Sequence, residues 1–385
     1  MNFLEVIFFM ALFMIFWANV GYPTSILILG KLIKRKNKTI TNNETSVSIV
    51  IVAHNEEKVI QQKLENVINL DYPKEKVEII VTSDNSTDKT NEMVKGFIKN
   101  HPTEKIKLHK VKKRMGKTNA QNEAVKIAQN DILVMTDANA IIEKNAINEL
   151  VKSFTDGVSY VTGRLIYVNS DISETSNSEN NYWNLDTKIR EIESNIQTIT
   201  AGNGALYACR KKEYKYFKPI QCHDSAMPLY YALNGKRAIA NHNAIAYEKA
   251  GENTKDEYKR KVRMNRIILS SILPSIKILN VFKYKWFTYF YLGHRTSRYL
   301  LWFNHIILLL CNIIIYNHGI IYKLCLFIQI LIYLIALLKF VCKINNKIIN
   351  LIYYYCMTIC AQINGVINTL IGKNKPFWEK AESTR

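Results

Sequence analysis

The sequence predicts an α/β fold: a mostly parallel sheet in one soluble domain, held to a membrane by apolar helices at both ends. Three observations lead there. Between residues 47 and 136, short β-branched runs alternate with apolar residues at helical spacing, a pattern that builds a parallel sheet covered by helices on both faces. Residues 3–32 and most of 300–371 are strongly apolar, and a helix of about 20 such residues crosses a bilayer. The 52 Lys and Arg against 32 Asp and Glu, a net charge of +20 over 385 residues, call for an anionic partner. With apolar residues gathered at the ends, the expected partners are a lipid bilayer and an anionic substrate, not nucleic acid.

Residues 1–32 read as an uncleaved membrane anchor. A secretory signal carries a basic start and small residues before a cleavage site; here the start holds Glu5 and neither feature. Lys31, Lys34, Arg35, Lys36 and Lys38 follow the apolar stretch. The excess of basic residues on that side places the soluble domain, residues 45–268, in the cytoplasm. Seven Cys without a C-x-x-C pair offer no zinc site and fit a reducing compartment.

Within the domain, residues 47–53 form a first buried strand. Asn55 is placed to cap a helix whose apolar face carries Val59, Ile60, Leu64, Val67 and Ile68. A second strand, 78–82, ends at Ser83 and Asp84, and Asp88 caps the next helix. Residues 106–109 are a short third strand. The basic loop Lys112, Lys113, Arg114 leads to Gly116 and Lys117, which open a helix; Lys112 and Lys113 read as solvated charge. A fourth strand, 132–136, runs into Asp137, Ala138 and Asn139. Ligands in open α/β sheets sit beyond the carboxyl ends of the strands. Asp137 is therefore placed to hold Mg²⁺ or Mn²⁺, and through it a diphosphate, although an acid at a strand end is, by itself, more often a turn or cap residue. No G-x-G-x-x-G follows the first strand, which disfavours a dinucleotide-binding domain.

The pattern then loosens. Residues 160–167 read as a strand, 169–181 as a polar loop and 182–194 as a helix. Gly202, Asn203 and Gly204 make a tight turn, where glycine allows a close backbone approach. Cys222, His223 and Asp224 start a further helix, and a basic helix over 256–268 carries Arg260, Lys261, Arg263 and Arg266. For Arg266, contact with anionic lipid is an even alternative to a role in a site.

Residues 269–299 mix aromatic, aliphatic and basic positions, as helices lying in the membrane interface do. The stretches 300–316, 319–341 and 348–371 are candidate spans; Asn350, Gln362, Asn364 and Asn368 make the last the weakest. Three spans would carry the basic tail, 372–385, across the membrane, against its Lys373, Lys375, Lys380 and Arg385. One candidate is therefore re-entrant or no span. Trp378 reads as an interfacial anchor.

Taken in order, VSIVIVAHNEE (47–57), EIIVTSDNSTDKT (78–90), Gly116-Lys117, Asp137-Ala138-Asn139, GNGALYA (202–208), His223-Asp224 and Arg260 to Arg263 resemble family 2 glycosyltransferases of GT-A fold, the membrane-bound polysaccharide synthases in particular. The resemblance covers about residues 45–270. It implies that Ala53, Asn55 and Glu56 line a nucleotide pocket and that Asp84 accepts a hydrogen bond from a uracil imide, as an acceptor-only carboxylate can. It implies that Lys117 contacts the nucleotide or its phosphates, and that Asp137 binds the metal with Asn139 at the motif's second position. Gly202, Asn203 and Gly204 would help form the acceptor site, Asp224 would be the catalytic base, and Arg260 and Arg263 would meet the leaving diphosphate. The chain also departs from the family: Asn139, Ser83 and His223 stand where acids are usual, and Arg260 and Met264 break the Q-x-x-R-W signature of processive synthases. The expected activity is inverting transfer from a nucleotide sugar, UDP-linked, to a lipid-linked or polymeric glycan acceptor. A processive, polymer-secreting synthase and a non-catalytic scaffold of a glycan assembly are the alternatives.

Overall fold

The computed structural model describes residues 2–33, 37–40, 45–169, 174–251, 253–342, 344 and 346–377. Lys34, Arg35, Lys36, residues 170–173 of the expected polar loop, Trp378, Lys380 and Arg385 lie outside the described residues.

Helices α1 (Phe3–Phe16) and α2 (Tyr22–Leu32), joined by a π-helical turn, make one apolar rod. The domain follows: β1 (Val47–Ala53), α3 (Ile60–Ile68), β2 (Val77–Ser83), α4 (Thr90–Asn100), β3 (Ile106–Lys110), α5 (Lys117–Ile127) and β4 (Ile132–Asp137). These four strands are parallel, in the order β3-β2-β1-β4. β1 shows why its run is continuously apolar. Val47, Ile49 and Ile51 face α3 and α4 through Ile60, Leu64 and Val94, while Val50 faces Ala124 and Val125 of α5. Both faces of the sheet are covered, so both need apolar side chains.

The second half adds β5 (Ile141–Ile142), α6 (Ala146–Val151), β6 (Val158–Tyr167), α7 (Glu174–Ile196), β7 (Leu206–Arg210), α8 (His223–Leu233) and β8 (Arg237–Glu248). The sheet runs on as β4-β7-β6-β8-β5, with β7 antiparallel to both its neighbours and β5 antiparallel to β8. It is thus mixed, with its parallel half at β3 to β4. Three local expectations change. β8 replaces a stretch with no expected element; its alternating Ala and Asn carry a weak strand signal, and it is held by β6. The polar residues from Glu174 to Asn181 extend α7 rather than forming a loop, since no Gly or Pro interrupts them. Asn55 does not cap α3, which begins five residues later; it takes φ 55° and its Oδ1 accepts from Thr87 N at 2.8 Å. Asn tolerates this left-handed backbone because its short side chain bonds locally.

Among the described residues, two helices are long and apolar enough to cross a membrane, Phe3–Leu32 and Ile320–Cys342. After α9 (Thr254–Met264) come the short helices α10 (Ile268–Ile272), α11 (Val281–Tyr284), α12 (Trp286–Phe290) and α13 (Ser297–Tyr299), then α14 (Leu301–Ile314), α15 (Ile320–Cys342) and α16 (Lys347–Leu370). The segment Trp286–Tyr299 meets α14 at a 60° bend. α16 falls short of a span and runs beside α9 instead. Tyr354 OH donates to Glu257 Oε1 at 3.3 Å, Asn364 Nδ2 to Tyr258 OH at 3.3 Å, and Thr369 Oγ1 to Arg266 O at 3.2 Å. The chain therefore returns to the domain after α15, and residues 374–377 stay with it: Asn374 Nδ2 donates to Arg266 O at 2.7 Å.

This docking predicts a topology. In a variant freed of native Cys, Lys255→Cys and Lys375→Cys should respond alike to an impermeant maleimide on intact cells. Asn317→Cys, in the connection between α14 and α15, should respond oppositely. Opposite labelling of positions 255 and 375 would show that α16 crosses the membrane.

Candidate active site

The site grows from three level strand ends. Ala53 pairs with Ser83, and Val52 with Asp137. The loops after β1 and β2 interlock: Glu57 N donates to Asp88 Oδ2 at 3.1 Å, Lys89 N to Glu57 Oε2 at 3.0 Å and Glu56 N to Thr90 Oγ1 at 2.8 Å. Asp88 also accepts from Thr90 N at 3.0 Å and so heads α4. His54 Nδ1 lies 2.8 Å from the carbonyl of Asp84, a structural contact.

Asp84 is buried, and both its oxygens serve the basic loop: Oδ1 accepts from Met115 N at 3.1 Å and Oδ2 from Gly116 N at 2.8 Å. A nucleotide base approaching it would meet the loop that Asp84 shapes. Gly116 takes φ 91°, and a Cβ there would fall on the carbonyl oxygen of Pro376. The turn lets α5 begin at Lys117 and aims that side chain across the strand ends.

Lys117 Nζ ion-pairs with Asp137 Oδ1 and donates to Gly204 O at 3.0 Å. Burial alone would lower its pKa; Asp137 beside it, then Asp224, outweigh burial and raise it. Gly204 marks the focus of the site. A Cβ placed on it would lie 3.0 Å from Lys117 Nζ, 3.8 Å from Asp224 Oδ2 and 3.9 Å from Asp137 Oδ2. Two carboxylates and an ammonium thus surround one half-buried glycine.

The other turn residues act inward. Gly202 N donates to the carbonyl of Asp224 at 2.7 Å, joining the turn to the first turn of α8. A side chain on Gly202 would run into the Tyr160 phenol. Asn203 spends its side chain on backbone: Oδ1 accepts from Ala205 N and Leu206 N, both at 3.1 Å. Of the three, only Gly204 opens toward the charged groups.

Asp224 lies in the first turn of α8, where the helix dipole favours a negative charge. Its neighbour His223 is buried between two phenols, with Nδ1 3.1 Å from Tyr207 OH and Nε2 3.2 Å from Tyr214 OH. Burial, with Lys117 nearby, pushes its pKa down to about 3, so His223 is a neutral packing residue.

The arginines divide. Arg260 pairs with Glu257 of its own helix through Nε at 2.7 Å and Nη2 at 3.0 Å. Arg263 stands within the field of Asp137; burial first, then the charge of Arg260, brings its pKa down to about 10. Arg266 is buried rather than lipid-facing. Its Nη2 reaches Cys222 Sγ at 3.3 Å, at the head of α8, and its Nη1 donates to Pro376 O at 3.1 Å. Phe377 lies under the Arg114 guanidinium, 4.7 Å from the ring centroid.

Sequence reasoning passed over Lys63, which was detectable as a cation on the apolar face of α3. It is fully buried, and its Nζ donates to Thr136 Oγ1 at 2.8 Å and Ala140 O at 2.5 Å, pinning both ends of the Asp137 to Asn139 loop. The contacts of residues 374–377 had no local signal.

His223 predicts an acid-labile fold. Its pKa falls from 6.5 to about 3 on folding, so between those values the unfolded chain binds more protons. The stability it contributes is complete above pH 6.5 and is lost as the pH falls, by roughly 2 kcal/mol at pH 5. His223→Gln, which cannot titrate, should lose less melting temperature between pH 7.5 and 5 than the parent. Equal losses would mean that His223 is not held neutral.

Residues 48–214 match the family model "Glycosyl transferase family 2". Over 106 residues, 27% of this chain and 25% of the relative, the sequence is 40% identical to the probable glycosyltransferase YdaM of Bacillus subtilis. Over 108 residues, 28% of this chain and 33% of the relative, it is 38% identical to the dolichyl N-acetyl-α-D-glucosaminyl phosphate 3-β-D-2,3-diacetamido-2,3-dideoxy-β-D-glucuronosyltransferase of Methanococcus voltae. The match thus spans only a quarter to a third of these curated relatives. The mannosyltransferase PcManGT of Pyrobaculum calidifontis, solved with GDP-Man and Mn²⁺, superposes with a TM-score of 0.72 at 18% identity, over 96% of this chain and 99% of that one. Residues 48–214 are therefore similar to a family 2 glycosyltransferase domain, and the chain has the GT-A fold.

Proposed function

We propose that this chain is a membrane-bound inverting glycosyltransferase that moves a sugar from a nucleotide donor, UDP-linked, to a lipid-linked or polymeric glycan acceptor in cell-surface polysaccharide synthesis. Residues 45–268 are the catalytic unit, facing the cytoplasm. Residues 1–32 anchor it, 269–299 lie in the interface, 300–371 hold the C-terminal membrane segments together with α16, which docks against α9, and 372–385 are a basic tail. The observation that carries the reading is the convergence of Lys117, Asp137 and Asp224 on Gly204. The acceptor named for the M. voltae relative supports a lipid-linked acceptor here.

In this reading Asp224 takes the proton of the acceptor hydroxyl as its oxygen attacks the anomeric carbon. The bond from that carbon to the diphosphate breaks on the opposite face, which inverts the centre. A positioned base contributes about 10²–10⁴-fold. Lys117 and Arg263 meet the charge that develops on the diphosphate, while Ala53, Asn55, Glu56 and Asp84 shape the nucleotide pocket.

The residues present fit a divalent cation. Asp137 and Asn139 are both half-buried at the end of the buried strand β4. No group of three or more His, Cys, Asp or Glu that could cage a metal occurs among the described residues. One carboxylate with a carboxamide suits Mg²⁺ or Mn²⁺, which keep waters and accept substrate phosphates as ligands. When bound, the cation would supply charge neutralisation at the diphosphate. Asp137 would hold it, and Lys117 would have to share that carboxylate.

The alternatives are less favoured. Arg260 is turned to Glu257 and Met264 is exposed, so the positions that mark processive synthases lack their usual side chains. Retention of Asp137 and Asp224 argues against a scaffold without activity.

Two outcomes test the reading. Asp224→Asn should leave UDP binding near normal and remove most turnover, since only the transition state needs the proton taken. Turnover within a few-fold of the parent, on folded protein with a panel of labelled nucleotide sugars, would rule Asp224 out as the base. In calorimetric titration of UDP with and without Mn²⁺, Asp137→Ala should lose the metal dependence, whereas Asp84→Ala should weaken UDP in both conditions. Asn139→Asp should tighten Mn²⁺ without nucleotide. Unchanged metal dependence in Asp137→Ala would move the cation elsewhere.

A further inference from the structure

Behind the glycine turn lies a buried chain of charges to which the proposed transfer, as described above, assigns no role. Arg190 of α7 donates from Nη1 to Gly202 O at 2.6 Å and pairs through Nη2 with Asp186 Oδ2 at 2.6 Å. Its guanidinium also stacks 5.2 Å from the Trp183 ring. Asp186 Oδ1 meets His294 Nε2 at 2.9 Å and Arg298 Nη1 at 2.8 Å. His294 Nδ1 reaches Glu193 Oε1 at 2.7 Å, and the same oxygen accepts from Tyr22 OH at 2.6 Å. Tyr22 begins α2 of the apolar rod, and His294 sits in a π-helical turn between α12 and α13. Asp186, Arg190, Glu193, His294 and Tyr22 are all at least nine-tenths buried. Burial alone would raise the pKa of Asp186; Arg190, His294 and Arg298 together hold it well below the usual carboxylate range.

We infer that Arg190 is a positioning residue for transfer: it fixes the Gly202 carbonyl, and with it the turn whose Gly202 N–H holds the backbone of the base, Asp224. The inference rests on the proposed function. Buried charges are costly unless paired, and a pair that only joined α7 to the membrane segments would have no need of the turn. Here one guanidinium edge is spent on the Gly202 carbonyl and the other on the network. A planar fork suits two such partners at once; a lysine ammonium can serve one well. The Gly202 peptide is gripped from both sides, by Arg190 at its carbonyl and by Thr162 Oγ1, which accepts from Asn203 N at 3.1 Å. Freed from Arg190, the turn would shift relative to α8, and displacements of about 1 Å cost about 10²-fold in rate. The nucleotide side, on the loops after β1 and β2, shares no hydrogen bond with Arg190 and should not sense its loss.

The test uses the full chain in lipid nanodiscs. Arg190→Gln and Arg190→Lys are measured for kcat, for UDP affinity by calorimetry and for backbone hydrogen exchange over residues 200–206. Because Arg190→Gln strands the buried Asp186 carboxylate, the double variant Arg190→Gln with Asp186→Asn is measured beside it. The expected result is a loss in kcat of about 10–100-fold, UDP affinity within two-fold, faster exchange at residues 202–204, and partial recovery in Arg190→Lys. The inference is overturned if the folded single or double Gln variant keeps kcat within two-fold, if exchange at residues 202–204 is unchanged, or if UDP affinity falls as far as kcat. Exchange needs no turnover. A parent protein that transfers no sugar would sink the proposed function and leave the exchange result to decide whether Arg190 holds the turn.

Discussion

The contact on which the site depends is the ion pair between Lys117 and Asp137. Lys117 starts α5, and its direction is set by the positive-φ turn at Gly116, which Asp84 holds from below. Asp137 ends β4, and Lys63 ties down the residues on either side of it. Four segments far apart in sequence are thus committed to one charge pair. The same ammonium bonds the carbonyl of Gly204, which draws the glycine turn to the strand ends. Placing a cation and two carboxylates this close is stable because each has other partners or solvent. In the proposed function the same ammonium would meet a diphosphate.

The parallel half of the sheet was legible because burial on both faces leaves only one kind of residue to choose. β1 matches its expected limits at Val47 and Ala53, and β4 runs one residue past its own, to Asp137. The place of Asp137 at a strand end was legible because it breaks an apolar run, and that of Asp224 because it opens a helix; the role expected of Asp224 came from the family resemblance alone. What stayed hidden was set by tertiary partners. β8 has alternation too weak to announce a strand and exists because β6 pairs with it. Arg190 looks like any polar residue on a long helix until the fold brings Gly202 to it. Arg266 could be assigned to lipid or to the site with equal reason from its neighbours alone. Its contact with Cys222 is a long-range fact.

The membrane ends illustrate the same limit from the other side. Hydropathy found the apolar rod at the start and α15 without difficulty. α16 is intermediate, and its Asn and Gln side chains explain why. Gln362 Nε2 donates to Arg298 O at 2.9 Å and Asn364 reaches Tyr258, so these polar groups are used against the protein instead of being carried into lipid. A helix that hydrogen-bonds a soluble helix along its length has no reason to cross a bilayer. Residues 374–377 then stay beside the domain, which would remove the conflict between span count and charge.

Asn139 gains a physical reading from the same geometry. Around Gly204 the chain places two acids, Asp137 and Asp224, against Lys117, and Arg263 lies within the field of Asp137. Two negative charges meet two positive ones. A second acid in place of Asn139 would leave the site with excess negative charge next to Asp224, the proposed base, and like charges in close quarters raise one another's pKa. The family's usual second acid is tolerable where a cation is firmly resident. Here Lys117 already occupies one oxygen of Asp137, so a neutral residue beside it keeps the charge balanced before substrate arrives. The departure at Asn139 and the ion pair at Lys117 are then two parts of one arrangement: charges that balance without a metal and that, in the proposed function, would admit one once a diphosphate supplied further oxygens.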